Sequence, residues 1–301
     1  MKQFAIYTAL IGGYDRILQP KVIDNRFDYY LFTDDSKETQ IGVWKVRHVE
    51  YSNIDKTRIA RWVKTHPKKL LSDYKATLWI DANLQITSQF LYDRVVELNK
   101  TGIQFASVEH PYRRCIYDEA YNVYGLDNEQ TIFDWCQYLR KVNYPRANGL
   151  YETNVLYRKN DNDIHKVDEL WWNIICSYSR RDQLSLNYVL WKLPVKQELI
   201  LPRGEHVDNS QHIRKNAHTK TAKQYGRRSI RETFWEHARC RCRNGMEEKA
   251  EQFQKFHYWL YGLNPVIAKI LLHIWGVYAT IVYGTIIKFR AYQRHKNQNN
   301  G

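Results

Sequence analysis

The sequence predicts an α/β fold, a single domain with a central, mostly parallel sheet flanked by helices and a helical C-terminal extension. Three observations support this. Short apolar runs alternate with segments of helical periodicity through the first two hundred of 301 residues. Several of those runs stop at glycine or aspartate, where strands pass into turns. The texture then changes: from Arg203 onward there are 18 Lys and Arg against 7 Asp and Glu, and 7 of the 11 His.

The elements follow in order. Residues 3–10 (QFAIYTAL) form a first apolar run that ends at Gly12-Gly13, and 28–33 (DYYLFT) a second that ends at Asp34-Asp35. Residues 43–49 (VWKVRHV) alternate as a strand does. Residues 56–71 carry a helical pattern, with Ile59, Trp62, Val63 and Leu70 apolar and Arg58, Arg61 and Lys64 between them. A buried strand, 76–81 (ATLWID), a helix over 87–99 and a strand over 103–108 come next. Helices over 129–143, 165–176 and 181–191 surround a further strand at 150–158. Residues 203–231 read as a polar, basic loop and 232–262 as a charged helix. The expected organisation is a domain over 1–202, a basic extension over 203–262 and a terminal segment over 263–301.

That terminal segment contains Val266 to Ile287, 22 residues with only Lys269 and His273 ionisable. Lys269, His273, Gly276, Thr280, Gly284 and Lys288 recur at three or four residues, a narrow polar stripe on a helix. A span would carry Lys288, Arg290, Arg294 and Lys296 outward, against the positive-inside tendency. The expectation is an amphipathic helix lying on an anionic membrane surface. The N-terminal MKQFAIYTALIGG is too short and weakly charged for a secretory signal. Five irregularly spaced Cys read as reduced thiols. Together these suggest a cytoplasmic protein, peripheral on the inner face of the cell membrane. The charge, +14 overall, avoids the α/β half and no nucleic-acid motif is present, so no nucleic-acid partner is expected.

Candidate chemistry gathers at strand ends. Asp81 closes a buried strand and Asn83 follows two residues on. Two oxygen ligands on one side of the chain suit a hard divalent cation, although the same residues also serve as turn formers. Arg58, Arg61 and Lys64 share one helical face, which suits phosphate oxygens or simply solvent. His110, Arg113 and Arg114 run into Asp118 and Glu119, a site loop or a salt-bridged one. Asp182 and Gln183 open a helix directly after Arg180 and Arg181. Two arginines are poor choices for a helix N-terminus on stability grounds, and such local conflicts mark functional sites.

The segments YTALIGGYD (7–15), DYYLFTDD (28–35), ARWVKTHP (60–67), LWIDAN (78–83), HPYRRCIYDEA (110–120), GLYETNVLYR (149–158) and SRRDQLSLNYV (179–189) keep their order over roughly residues 4–192. In these the chain resembles the glycosyltransferase-like family first catalogued as domain of unknown function 616, which is similar in layout to family 8 glycosyltransferases. The resemblance implies a GT-A fold, a nucleotide-sugar donor and Mn²⁺ or Mg²⁺. It implies that Asp81 and Asn83 stand at the metal motif, with Asn83 in place of a second acid. It places Arg61 and Lys64 near donor phosphates; Arg58, Asp81, His110 and Arg113, from their own placement in the sequence, are further donor-binding candidates. It gives Asn154 a hydrogen bond to the sugar and sets Asp182-Gln183 at the reacting centre. Inversion of configuration would make Asp182 or Asp118 the general base; retention would make Asp182-Gln183 position the sugar. A late His completes the metal site in many such enzymes, and His206, His212 and His218 are the candidates. The expected partners are a nucleotide-sugar donor, a glycan or lipid-linked acceptor and the membrane surface. The expected activity is hexosyl transfer in surface polysaccharide or glycoconjugate synthesis. A catalytically silent sugar-binding or scaffolding protein is the alternative, which Asn83 favours.

Overall fold

The structure is a computed structural model that describes residues 3–123 and 126–218, with five helical positions further on at 267, 270, 271, 274 and 277. The chain divides into two compact units, one of residues 1–116 and 137–222, the other of 117–136 and 223–301. The strands are β1 (Phe4–Leu10), β2 (Phe27–Thr33), β3 (Gln40–Ile41), β4 (Trp44–His48), β5 (Ala76–Ile80), β6 (Leu84–Ile86), β7 (Phe105–Glu109), β8 (Tyr151–Lys159), β9 (Gln197–Leu199) and β10 (Ile213–Lys215). The helices are α1 (Lys56–Thr65), α2 (Pro67–Leu70), α3 (Phe90–Lys100), α4 (Ile116–Val123), α5 (Glu129–Lys141), α6 (Asn162–Ser177) and α7 (Gln183–Lys192).

Eight strands make one sheet in the order β3-β4-β2-β1-β5-β8-β7-β9. β1 pairs in parallel with β2 and β5, β2 with β4, and β7 with β9. Only β3 and β8 run against the rest. The sheet is therefore largely parallel, as the alternation of runs and helices implies. Its central strands are apolar on both faces because both are covered. On one face Ile6, Leu31, Leu78, Val108 and Val155 pack with Leu91, Tyr92, Val95 and Leu98 of α3. On the other lie α1, α6 and α7, with α1 against β1 and α7 against β8.

Local signals explain the boundaries. Asp55 caps α1 by accepting from the Thr57 N–H, and Asp161 caps α6 by accepting from the Ile164 N–H. The helix expected over 56–71 is two helices. Pro67 has no N–H and disfavours helical geometry at His66, so α1 stops there and α2 starts at Pro67. The helix expected over 87–99 begins only at Phe90, because Leu84–Ile86 is used as β6. Residues 213–215, within the expected loop over 203–231, form β10 and pair antiparallel with β6. The sheet framework thus reaches past residue 202.

In the second unit, Asn128 caps α5 by accepting from the Gln130 and Thr131 N–H groups. The helix expected over 232–262, and the 266–287 segment apart from five positions, lie outside the described residues. Those five are helical; Ile267, Ile270, Ile274 and Val277 are exposed and Leu271 is half-buried. No helix among the described residues is long and apolar enough to cross a membrane.

Candidate active site

The strand order places β2 and β5 on opposite sides of β1. A reversal of this kind opens a crevice beyond the strand C-termini, where ligands bind in open α/β sheets. Asp81 stands at that edge, directly after β5. Its N–H donates to Asn154 O (2.9 Å) and its carbonyl accepts from the Leu84 N–H (2.9 Å). Asp81 and Asn83 therefore sit in a tight turn, held against the start of β8.

Lys64 is the centre of the charge arrangement. It comes from the last turn of α1 and is completely buried. Its Nζ lies 2.7 Å from Asp182 Oδ2, 3.2 Å from Asp81 Oδ1 and 2.9 Å from Thr153 O. It also sits 5.1 Å from the Trp79 ring centroid, and Trp79 Nε1 donates to the same Asp81 oxygen at 2.7 Å. The backbone behind it is fixed in turn. Lys64 O accepts from Tyr7 OH (2.9 Å) and from the buried Arg158 guanidinium (2.6 Å), which pairs with Asp168 of α6 at 2.7 Å. Burial pushes the Asp168 carboxyl up, against the attraction of Arg158.

Asp182 occupies the N-cap position of α7 yet makes no capping hydrogen bond with its side chain. Its carboxylate is spent on Lys64 and on Arg61, whose Nε is 3.2 Å from Oδ1. Burial alone would raise this carboxyl; Arg61 and Lys64 overcome it and hold the group well below the usual carboxylate range. The terminal nitrogens of Arg61 and the Gln183 amide have no hydrogen-bond partner among the described residues. Arg58 is turned elsewhere: its guanidinium caps the C-terminal carbonyls of α6, at Ile175 O and Tyr178 O. Three cations at helical spacing thus divide, two to the crevice and one to a helix end.

Beside Asp81 the start of β8 presents two buried acceptors with no partner, Asn154 Oδ1 and Glu152 Oε2. Burial pushes the Glu152 carboxyl up, opposed by hydrogen bonds from Asn154 and the Val207 N–H. Buried acceptors without donors are uncommon and call for a ligand or water.

Asp81 and Asn83 each keep one side-chain oxygen that a divalent cation could take. Asp81 Oδ1 is taken by Trp79 and Lys64, which leaves Oδ2. Asn83 donates through Nδ2 to Asn216 O (3.2 Å), which leaves Oδ1, and its carbonyl accepts from the Asn216 N–H (2.9 Å). That antiparallel pairing continues the β6–β10 ladder by one residue pair, and His218 follows two residues past Asn216. His218 Nδ1 lies 2.8 Å from Asp15 Oδ2, the carboxylate–histidine arrangement that leaves Nε2 for a metal. His212 is at the other end of the ladder, stacked on Phe90 at 4.1 Å with Nδ1 2.9 Å from Ser88 Oγ. His206 closes a turn with Asn209 and Ser210. Among the described residues no three His, Cys, Asp or Glu side chains form a metal cluster, so any site here leans on the Asn83 amide.

His110 and Arg113 organise their own loop. His110 Nδ1 accepts from the Tyr112 and Arg113 N–H groups, and the Arg113 guanidinium is 3.0 Å from Nε2. Burial, with Arg113 and His206 nearby, pushes His110 down to about 3, so it is a neutral acceptor at neutral pH. Asp118 is half-buried in the first turn of α4, in the second unit. Glu152, Trp79, Asp15, Tyr7 and Arg158 lie in or beside strands and Asp168 lies in α6, and none was singled out for a role by the sequence. The pairing of strands and the packing of α6 on the sheet assemble them.

A search of curated proteins finds no match. Among solved structures, the apo structure of the bifunctional glycosyltransferase WbbM is similar at 9% identity and a TM-score of 0.40; the match covers 66% of this chain and 38% of that one. The sequence model described as TOD1/MUCI70, glycosyltransferase-like domain, matches residues 1–218. The chain therefore belongs to the TOD1/MUCI70 glycosyltransferase-like domain family.

Proposed function

We propose that this protein is an active glycosyltransferase that moves a sugar from a nucleoside-diphosphate sugar to an acceptor hydroxyl on a glycan or lipid-linked glycan. The observation that carries the reading is Lys64: a fully buried cation between Asp81 and Asp182, at the sheet's ligand-binding edge. Burying a charge is costly unless its partners are good, so such a cluster is retained where it does work. The diphosphate leaving group gains negative charge as the glycosidic bond breaks. The free terminal nitrogens of Arg61 are the protein's charge-stabilising group for it, and Lys64 holds the Asp81 and Asp182 carboxylates in place around that site. Asn154 and Glu152 accept hydrogen bonds from sugar hydroxyls and so orient the ring. The Gln183 amide, at the start of α7, reaches the reacting carbon side.

Asp182 is an electrostatic and positioning group in this reading. A carboxylate held so far down by two cations is a weak base, which argues against its taking the acceptor proton. Where a Mn²⁺ or Mg²⁺ ion is used, Asp81, Asn83 and His218 would hold it, and it would neutralise diphosphate charge. The membrane surface and a role in surface polysaccharide synthesis enter through the basic C-terminal third alone.

The test is thermal unfolding of the full chain with a panel of nucleoside diphosphates and nucleotide sugars, with and without Mn²⁺. A ligand at one hundred times its Kd stabilises by about 2.7 kcal/mol. One nucleotide is expected to raise the midpoint, and Asp81→Ala to abolish the rise. No rise with any nucleotide would sink the reading. Binding without turnover of the donor would favour the silent sugar-binding alternative, for which Asn83 speaks.

A further inference from the structure

We propose that the groove beside the C-terminal half of α7 is a saccharide-binding subsite for distal sugars of the acceptor, and hence that the acceptor is an oligosaccharide rather than a single sugar or a small aglycone. The proposal rests on the transferase reading only for the word acceptor; the saccharide site stands on its own geometry.

The groove has a volume of about 830 Å³, within the range of ligand sites. It is lined by the buried Leu150, Leu190 and Leu201 and by the side-chain amides of Asn148, Asn187 and Gln197; Asn187 Oδ1 accepts from the Tyr151 N–H and Gln197 Oε1 from Tyr151 OH, which leaves their NH2 groups and Asn148 Oδ1. Trp191 also lines it and is 40% exposed. The indole is braced. Tyr144 meets it edge-on at 5.4 Å between centroids, and Tyr188 lies at 5.8 Å. An exposed indole held rigid by two other rings is a ready platform for the C–H face of a pyranose. Its ordering cost is already met by its neighbours. Amides around such a platform offer both donors and acceptors, as hydroxyls require.

The charges argue for a neutral ligand. Arg94 is already paired with Glu97 (2.9 Å) and Glu198 (2.5 Å), and Glu109 adds a further carboxylate to the lining. A phosphate would meet no free cluster of cations here apart from the exposed Arg203. At Gly149, in the wall of the groove, the backbone has φ +79°, a left-handed conformation that favours glycine.

Position links the groove to the crevice. Glu109 ends β7 and Tyr151 opens β8, and the two pair directly at the sheet edge that carries Asp81. α7 starts beside Asp182 and passes Trp191 nine residues later, about 13 Å along the helix. A single pyranose at the Asp182 end cannot also stack on Trp191. A chain of sugars can.

The experiment uses the full chain carrying 5-fluorotryptophan, with the Trp191 ¹⁹F line assigned by Trp191→Phe. The probes are gluco-, galacto- and manno-oligosaccharides of increasing length, added without donor. A saturable shift of the Trp191 line is expected with at least one series, with affinity that rises with chain length. Trp191→Ala, shown to be folded by its circular dichroism and unfolding curve, should weaken that binding about tenfold. No shift with any series, or equal binding by Trp191→Ala, would overturn the subsite. Donor turnover is measured in parallel. A Trp191 response without turnover keeps the subsite and removes the transferase reading. Turnover that is indifferent to acceptor length, with no Trp191 response, does the reverse.

Discussion

Replacing Lys64 by methionine removes a buried cation and leaves Asp182 facing Arg61 alone, with Asp81 one-third exposed. Breaking a buried pair in this way costs about 3–5 kcal/mol, and the low end is expected because Arg61 remains. Chemical denaturation checks the figure. Lys64→Arg is not expected to rescue, since a planar guanidinium cannot fill a site built for a compact ammonium. Asp182 gives a pH signature. Its folded-state carboxyl is held below its unfolded value, so the folded form binds this proton less readily. The stability it contributes is complete above the ordinary carboxylate value of about 4 and is lost as pH falls from there toward the folded value. Unfolding curves of the wild type and Asp182→Asn, compared at about pH 7 and about pH 3, should differ more at the higher pH. A gap that widens in acid would contradict the assigned pairing. At Asp15 the expected effect is on metal: Asp15→Asn should weaken Mn²⁺ stimulation about 10–100-fold, read from a Mn²⁺ titration of activity, because it removes the carboxylate that orients His218.

The elements show why some of this was legible in the sequence and some was not. β1, β2, β5 and β8 announce themselves as apolar runs, because strands covered on both faces need no alternation. α3, α6 and α7 follow from periodicity and length. β10 is different. It is three residues in a stretch rich in His, Lys and Asn, and only Ile213 is buried. Its existence depends on β6 lying opposite, and no local pattern encodes a partner 127 residues away. The same limit applies to Arg58, Arg61 and Lys64. Their spacing places them on one side of α1, but the packing of α6 against α1 turns Arg58 to the Ile175 and Tyr178 carbonyls. The pairing of β10 with β6 likewise sets His212 against Phe90 and Ser88, while His218 lies against Asp15, a difference that composition does not show. Ile213→Ala tests the strand. Losing a buried isoleucine costs about 2–5 kcal/mol. If β10 aligns His218 with Asp81, the variant should also lose Mn²⁺ stimulation beyond its loss of stability, measured where both proteins are folded.

At the scale of the whole molecule, charge is the feature that the sheet does not explain. The net charge is +14, and most of it lies after residue 202. Cations near an anionic bilayer contribute about 1 kcal/mol each and are screened by salt. The full chain should therefore co-sediment with phosphatidylserine vesicles at low salt and lose at least about tenfold of that affinity at high salt. A chain ended near residue 230 should bind less than the full one. Equal partitioning of the two would remove the membrane from the account. Turnover of the donor tests the role of Lys64 at the crevice most directly. With the nucleotide sugar that stabilises the fold, release of nucleoside diphosphate is measured for the wild type and for Lys64→Met at a temperature where both are folded. Steady release is expected from the wild type and a loss of on the order of a hundredfold in the variant, the scale on which misplaced groups around a reacting centre cost rate. Equal release by the two proteins would mean that Lys64 does not serve the reaction and that the chemistry lies elsewhere.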